Sequence, residues 1–436
     1  MLSKYFHSVK ISDDVYALYN GLVFEPVFVD QKSKADILSE NVSDDLKKTL
    51  VKKGIYVNDS LADIMAIDRL VQYVHNHKRR VSILYLITST YCNLACKYCF
   101  IENNPNSKTC YNIMSEDIAR VAVDKFLSLQ EDGTSPEIIF YGGEPLTNFH
   151  VLEFIIPYIR EKYGTSVKLT IISNATLIDM NVIELLTKYD VGIGISIDGP
   201  RHINDANRVF RNNDESVYDV VRDKINLLKE CGCKFSISIT VTRSVLNEKE
   251  KVLKWIEELG IKDIFWNLFH FSTPSDEWEV YYNEMSDFIL SGDDELANYE
   301  ITDGKVGELI RLFSEGVFRF ESCGALGLNQ IAITPNGDVC ICHGDSRNDS
   351  YVVGNILTDS ISDLVNSSRA KIWDGLLTVD REECLSCEAL FVCGGGCPGH
   401  AETLFGSRKE IDKAACIFYK KYLKWILAKY FKAEVM

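Results

Sequence analysis

Residues 81–100 read VSILYLITSTYCNLACKYCF, and the order of their parts decides the fold. Residues 81–87 are a short, mostly apolar run of the kind that forms a strand covered on both faces. A loop follows, carrying Cys92, Cys96 and Cys99 at C-x3-C-x2-C spacing, with Phe100 next. Three thiolates so spaced can ligate three irons of a [4Fe–4S] cluster and leave the fourth iron open to a small molecule. Cysteine fills 14 of 436 positions, so three at this spacing are seldom an accident of composition.

Beyond that loop, apolar runs at 137–140, 168–172, 191–197, 234–241 and 263–269 read as strands. Helical periodicity at 115–129, 152–162, 180–188, 216–229 and 248–259 separates them. Six strand–helix units fall short of the eight of a closed barrel, so the expected fold is α/β, a partial (β/α)6 TIM-like barrel. Functional residues then belong in the loops at the carboxyl ends of the strands. Tyr141-Gly142-Gly143-Glu144-Pro145, Ser173-Asn174 and Ser196-Ile197-Asp198-Gly199-Pro200 all sit at such ends. A glycine pair after a strand lets backbone approach a neighbour closely.

The length suits two or three domains, here 1–80, 81–310 and 311–436. A formal charge of −16 argues against a nucleic-acid partner. The amino terminus has no apolar core of a secretory signal, and no apolar run is long enough to span a membrane. Fourteen cysteines in that context point to metal ligation in a reducing cytoplasm rather than to disulfides. Within 1–80, β-rich runs at 15–18 and 22–29 flank Asn20-Gly21, a hairpin signal. Short helices are expected at 36–38 and 44–52, a strand at 54–57 and a helix over 62–74. This pattern fits a winged-helix-like module, and equally a structural cap on the barrel.

After residue 320 the cysteines form an ordered series: Cys323, Cys342, Cys384, Cys387, Cys393, Cys397 and Cys416. A zinc ribbon would use the C-x2-C and C-x3-C pairs, but seven cysteines exceed the four ligands of one zinc. Cys110, Cys231 and Cys233 follow no ligand pattern and read as buried or idle thiols. His75 and His77 beside Lys78-Arg79-Arg80 read as a solvated helix end, 271–299 as an acidic, aromatic bridge, and 418–432 as a packed final helix.

Taken together, the cysteine triplet, Gly142-Gly143-Glu144-Pro145, Ser173-Asn174 and Ser196 with Asp198 resemble the radical S-adenosylmethionine (radical SAM) enzymes over about residues 81–270. The resemblance implies a [4Fe–4S] cluster on Cys92, Cys96 and Cys99, with the SAM amino and carboxylate groups on the open iron. It gives the SAM ammonium to Gly142, Gly143 and Glu144, through backbone carbonyl and side-chain oxygens. It sets Asn174 and Ser196 near the ribose and carboxylate. Arg208 is a candidate partner for that carboxylate, because a guanidinium fork fits it; a solvated loop arginine is the alternative. The later cysteines resemble the SPASM extension of these enzymes, which carries two auxiliary [4Fe–4S] clusters, three in all. That likeness gives Cys384, Cys387, Cys393 and Cys416 to an outer cluster and Cys323, Cys342 and Cys397 to an inner one. The inner cluster's frequent fourth ligand position is Asn329 here. Cys340 is a further candidate, though cramped beside Cys342, so the inner cluster is expected to keep an iron free for a substrate thiolate.

SPASM-bearing relatives mostly modify peptides, and residues 1–80 resemble the recognition element of enzymes that mature ribosomally made precursor peptides (RiPPs). Such elements bind a leader peptide as an added strand on a hairpin edge, here 15–29, beside the helices at 36–52. The first reading is therefore a thioether-forming peptide maturase of the sactipeptide or ranthipeptide type, fed electrons by a flavodoxin or ferredoxin. A carbon–carbon crosslinking maturase is the close alternative. An anaerobic sulfatase-maturing enzyme is the third, but its base, an Asp directly after the inner-cluster cysteine, is replaced by His343, with Asp345 two further on. His343 and Asp345 are both candidate bases, and a supporting or surface histidine is the other reading of His343. An iron–sulfur electron carrier or a zinc-stabilised scaffold would explain the cysteines but not the strand-end motifs.

Overall fold

The computed structural model describes residues 1–76, 80–102, 111–131, 133–271 and 273–435, with residues 434 and 435 described by backbone alone. Cys110, and His77 with Lys78 and Arg79, lie outside the described residues. The amino-terminal unit is an antiparallel sheet of β1 (Phe6–Lys10), β2 (Tyr16–Asn20) and β3 (Val27–Val29), in that order, followed by α1 (Gln31–Leu38), α2 (Asp44–Lys52) and α3 (Ser60–Asn76). Helix starts follow from caps: Asp30 accepts from the Ser33 amide, and Ser43 from the Leu46 amide. The segment at 54–57 makes only an isolated bridge, Tyr56 with Leu2.

Asn20-Gly21 does not form the expected two-residue turn. The Asn20 side chain donates to Ser3 Oγ and the Gly54 carbonyl and accepts from the Leu22 amide, which opens a wider loop. Phe24 on that loop turns away and stacks on Phe391, with ring centroids 4.5 Å apart. β2 sorts its residues by period two. Leu18 joins a small local core with Ile37, Leu50, Ile55 and Tyr56, while Ala17 and Tyr19 join the main core.

Six parallel strands form the expected open barrel: β4 (Ile83–Ser89), β5 (Glu137–Gly142), β6 (Lys168–Ser173), β7 (Gly192–Ser196), β8 (Phe235–Thr240) and β9 (Asp263–Asn267). The sheet runs further at both edges. β10 (Thr302–Asp303) pairs with the start of β9. At the other edge β11 (Gln330–Ile333) lies parallel to β4, and β12 (Asp338–Cys340) and β13 (Val352–Asn355) continue antiparallel. Residues 311–436 are thus joined to the barrel by a shared ten-stranded sheet.

Helices α4 (Glu116–Leu127), α5 (Phe149–Tyr163), α6 (Met180–Lys188), α7 (Arg201–Asn207), α8 (Val217–Glu230), α9 (Arg243–Asn247) and α10 (Lys249–Leu259) accompany the strands. Leu84, Ile138, Ile171, Ile195, Ile237 and Ile264 on the strands' outer face are fully buried. The expectation of two covered faces fails for the inner one. Tyr85, Ile139, Thr170, Ser236 and Ser238 alternate with the buried set and stay partly exposed in the concavity. The acidic bridge expected at 271–299 contains α11 (Trp278–Leu296), ahead of α12 (Gly304–Ser314). Its acids serve the final helix, Lys413–Val435: Lys421 meets Asp287 at 2.7 Å and Lys429 meets Asp294 at 2.6 Å.

Phe24 also meets Phe313 edge-on, so this one ring fastens the amino-terminal unit to two elements of the body. Phe24→Ala should cost about 3 kcal/mol. The expected readout is an earlier chemical-denaturation transition than in the unaltered chain, with Phe24→Leu in between.

Candidate active site

The cysteine loop is fastened from both sides by backbone. On one side the β5 end runs against it: the Gly143 amide donates to Ser89 O and the Glu144 amide to Tyr91 O, each at 2.9 Å. A Cβ on Gly142 would lie 2.1 Å from Ser89 O, and one on Gly143 2.5 Å from Tyr91 O. Gly142 also has φ 147°, so only glycine meets both demands. On the other side the loop after α7 runs alongside: Ala95 N donates to Val209 O, Lys97 N to Asn207 O and Arg211 N to Asn93 O. The Arg211 guanidinium bonds Cys92 O, Leu94 O and the Glu102 carboxylate.

Cys92, Cys96 and Cys99 come together. Burial raises each thiol, Cys96 to about 11, and the other thiols add to the shift of Cys92 and Cys96. Asn174 arrives beside them, its amide donating to Asn93 Oδ1 at 2.9 Å and to Cys92 Sγ at 3.7 Å. The Glu144 carboxylate accepts from the Leu146 amide, Ser173 Oγ and the Asn174 amide, tying the β5 loop to the β6 loop. Burial pushes its pKa up to about 7 against those three bonds. The side-chain oxygens of Glu144 are therefore already engaged, and the backbone is what this segment offers a ligand.

Arg208 is not a solvated loop residue. It is buried and forks onto Asp198 through Nε at 3.0 Å and Nη2 at 3.1 Å. Asp198 also accepts from Tyr98 and from the Thr240 amide. The positive charge reaches Cys96, which it holds lower than burial alone would. Ser196 ends β7 opposite Ser238 on the half-open inner face.

The later cysteines separate into two groups. Cys323, Cys342 and Cys397 lie within reach of one another's charge, all raised first by burial. So do Cys384, Cys387, Cys393 and Cys416. Among the described residues no three such side chains converge as a single metal ion requires. Thiols that share charge without converging fit a many-atom cluster better than zinc. Cys323 is exposed to solvent. Cys340 stands apart: it is buried against Asp345 O at 3.8 Å, and the charges acting on it come from Asp345, Asp338, Arg408 and Asp349. Asn329 donates its amide to Glu321.

Of the two candidate bases, Asp345 is buried and accepts two hydrogen bonds from the Arg408 guanidinium, at 2.8 and 2.5 Å. His343 is stacked on Tyr85 at 4.3 Å and edge-on to Tyr141 at 5.1 Å, with Nδ1 buried and unpartnered. Burial lowers its pKa to about 4. Sequence reasoning missed Tyr85, Arg211 and the chain Asp412–His400–Tyr282, which braces Cys397 through an Asp412 bond to its amide. The alternation of β4 carried a signal for Tyr85; the others are brought in by tertiary structure.

Comparison with known proteins agrees with this geometry. Residues 86–256 match the radical SAM superfamily, and residues 323–388 match the SPASM iron–sulfur cluster-binding domain. The radical SAM cyclopropyl synthase TigE of Paramaledivibacter caminithermalis is 22% identical, over 97% of this chain and 92% of its own. A cysteine-type anaerobic sulfatase-maturating enzyme of Clostridium perfringens is 25% identical, over 79% and 96%. The structure of Streptococcus suis SuiB bound to the precursor peptide SuiA superposes with a TM-score of 0.57 at 16% identity, over 95% and 99%. The chain carries a radical SAM domain followed by a SPASM domain. The first domain binds a [4Fe–4S] cluster and SAM, and the second binds further iron–sulfur clusters. No described helix is long and apolar enough to cross a membrane.

Asp198→Asn would strand the buried Arg208 charge, at a cost of about 3–5 kcal/mol. Thermal denaturation of the metal-free chain should show this as a lowered midpoint, and Arg208→Lys should lower it less.

Proposed function

We propose that this enzyme matures a ribosomally made precursor peptide by installing intramolecular crosslinks, carbon–sulfur bonds in the first instance. The observation that carries this reading is the gathering of ten cysteines into Cys92/Cys96/Cys99, Cys323/Cys342/Cys397 and Cys384/Cys387/Cys393/Cys416. Each group would hold one [4Fe–4S] cluster. The inner group has three thiols, with Cys340 engaged elsewhere, which suits capture of a substrate thiolate.

The bound cluster and SAM would supply a 5′-deoxyadenosyl radical that removes a hydrogen atom from substrate carbon. The chain supplies orientation. Gly142 to Glu144 and Asn174 would frame the methionine and ribose ends, and Arg208, held by Asp198, would stand near the carboxylate. His343 stays neutral at physiological pH, so it offers the peptide a hydrogen bond rather than a strong base. Asp345 keeps its partner Arg408. The amino-terminal unit would hold the leader at the outer edge of β3, and a flavodoxin or ferredoxin would deliver electrons in the cytoplasm.

A carbon–carbon crosslink is the second reading, favoured by the full-length likeness to a protein named a cyclopropyl synthase. Formylglycine formation is third, because His343 stands where that chemistry places an aspartate. Anaerobic reconstitution should yield about twelve irons per chain. Dithionite and SAM should then release 5′-deoxyadenosine, and Cys92→Ala should release none. Short peptides encoded beside the gene, co-expressed with the enzyme, should lose about 2 Da per bond. Loss of an alkylatable thiol marks a thioether, and its retention marks a carbon–carbon bond. An iron-loaded enzyme that never cleaves SAM would refute the proposal.

A further inference from the structure

Two segments that carry cysteines of the later groups run side by side. Residues 319–323 end in Cys323 of the inner group, and residues 391–397 hold Cys393 of the outer group and Cys397 of the inner one. Hydrogen bonds join them: the Arg319 amide donates to Phe391 O at 3.0 Å, and Ser322 Oγ to Gly396 O at 3.0 Å. A Cβ on Gly394 would lie 2.5 Å from Glu321 O, and Gly394 has φ 67°, so this approach requires glycine.

The Arg319 side chain, half-buried, lies where the segments meet. Its Nη1 donates to Cys393 O at 2.7 Å and to the Tyr419 hydroxyl at 2.8 Å. Its Nη2 donates at 3.1 Å to the carbonyl of Ser322, the residue before Cys323. All three acceptors are carbonyl or hydroxyl oxygens, and among the described residues no carboxylate pairs with this guanidinium. Glu308 feels its charge but is forked onto Arg311 at 3.0 and 2.8 Å. Asp412, whose charge falls on Cys397 and Cys416, is bonded to the Cys397 amide and to His400. Burial works against the Arg319 charge, while Tyr419 and the thiols of Cys393 and Cys323, one from each group, favour it.

A guanidinium drawn out of water is costly unless something negative offsets it. A [4Fe–4S] cluster on thiolates is an anion, and each electron it accepts adds a negative charge. A fixed cation beside it favours the reduced form and raises its reduction potential. Lys420 and Arg381 also bring positive charge, but to Cys416 and Cys384, both of the outer group. Arg319 alone is bonded to backbone beside a thiol of each group.

We propose that Arg319 is the counter-charge shared by the two later clusters and raises the reduction potential of both. It is a positioning residue, acting through the clusters rather than on the substrate. The inference rests on the reading that each later cysteine group holds a cluster. Uptake of one electron from an external reductant adds one negative charge to a cluster and makes or breaks no bond.

Iron analysis and an EPR-monitored dithionite titration of the anaerobically reconstituted chain test it, repeated in a Cys92→Ala background where only the two later sites load. Arg319→Met keeps the bulk and removes the charge. It should make reduction of both later clusters about tenfold less favourable, a fall of about 59 mV for one electron, or leave both sites without iron. Arg319→Lys keeps the charge, should load both sites and should stay within about threefold of the unaltered chain. Lys420→Gln, which removes an exposed charge near the outer group, should leave the inner cluster unmoved. A merely structural tie would be broken by methionine and lysine alike. An Arg319→Lys chain no better than Arg319→Met, an unchanged Arg319→Met chain, or an effect confined to one cluster would therefore overturn the shared counter-charge. Failure of the parent reading shows separately, in the unaltered chain, as about eight irons or fewer in place of about twelve.

Discussion

The site depends on two loops whose backbones touch. The end of β5 passes so close to the cysteine loop that any side chain at 142 or 143 would overlap a carbonyl oxygen. Two amide-to-carbonyl bonds follow from that approach, and they fix where Cys92 begins. The same glycine segment leads into Glu144, whose carboxylate draws in the next strand's loop and Asn174. The order of three strand ends is thus set by one close contact and one buried acid. Arg211 and the loop after α7 hold the other flank. A metal-binding loop anchored on both sides loses little further freedom when ligands close on a cluster, which favours assembly.

Electrostatics in the three thiol groups point the same way. Thiols whose pKa burial raises resist ionisation, so without metal such thiols keep their protons. Iron replaces those protons and removes the penalty, coupling cluster formation to the surrounding fold. The acids nearby are managed so as not to compete. Asp198 is given to Arg208 and Tyr98, Asp345 to Arg408, and Asp412 to the Cys397 amide and His400. None of these carboxylates is left as a loose ligand or a loose base.

Much of this was legible in the sequence. Apolar runs and helical periodicity placed the six barrel strands and their helices to within a few residues, because both signals are local. The spacing of Cys92, Cys96 and Cys99 marked one ligand set by itself, whereas the division of the later cysteines into two sets came from the likeness to SPASM enzymes and not from spacing. What escaped was long-range. Gln330–Ile333 is too short to announce that it extends the barrel at β4, and no local pattern ties it to a strand so distant in the chain. Asn20-Gly21 reads as a tight turn until Ser3 and Gly54 claim the asparagine side chain. Arg208 read as a carboxylate partner or a solvated loop residue, and its pairing with Asp198 escaped because the two approach only when β7 and the next loop fold back together.

The sheet that continues from the barrel into the SPASM strands has a mechanical meaning. β4 leads into the first cysteine loop, and its outer neighbour β11 leads through β12 to Cys342. The two cysteine-bearing regions are therefore rooted on adjoining strands of one hydrogen-bonded sheet. Strand register, rather than the length of a linker, sets how far apart the first cysteine loop and Cys342 stand.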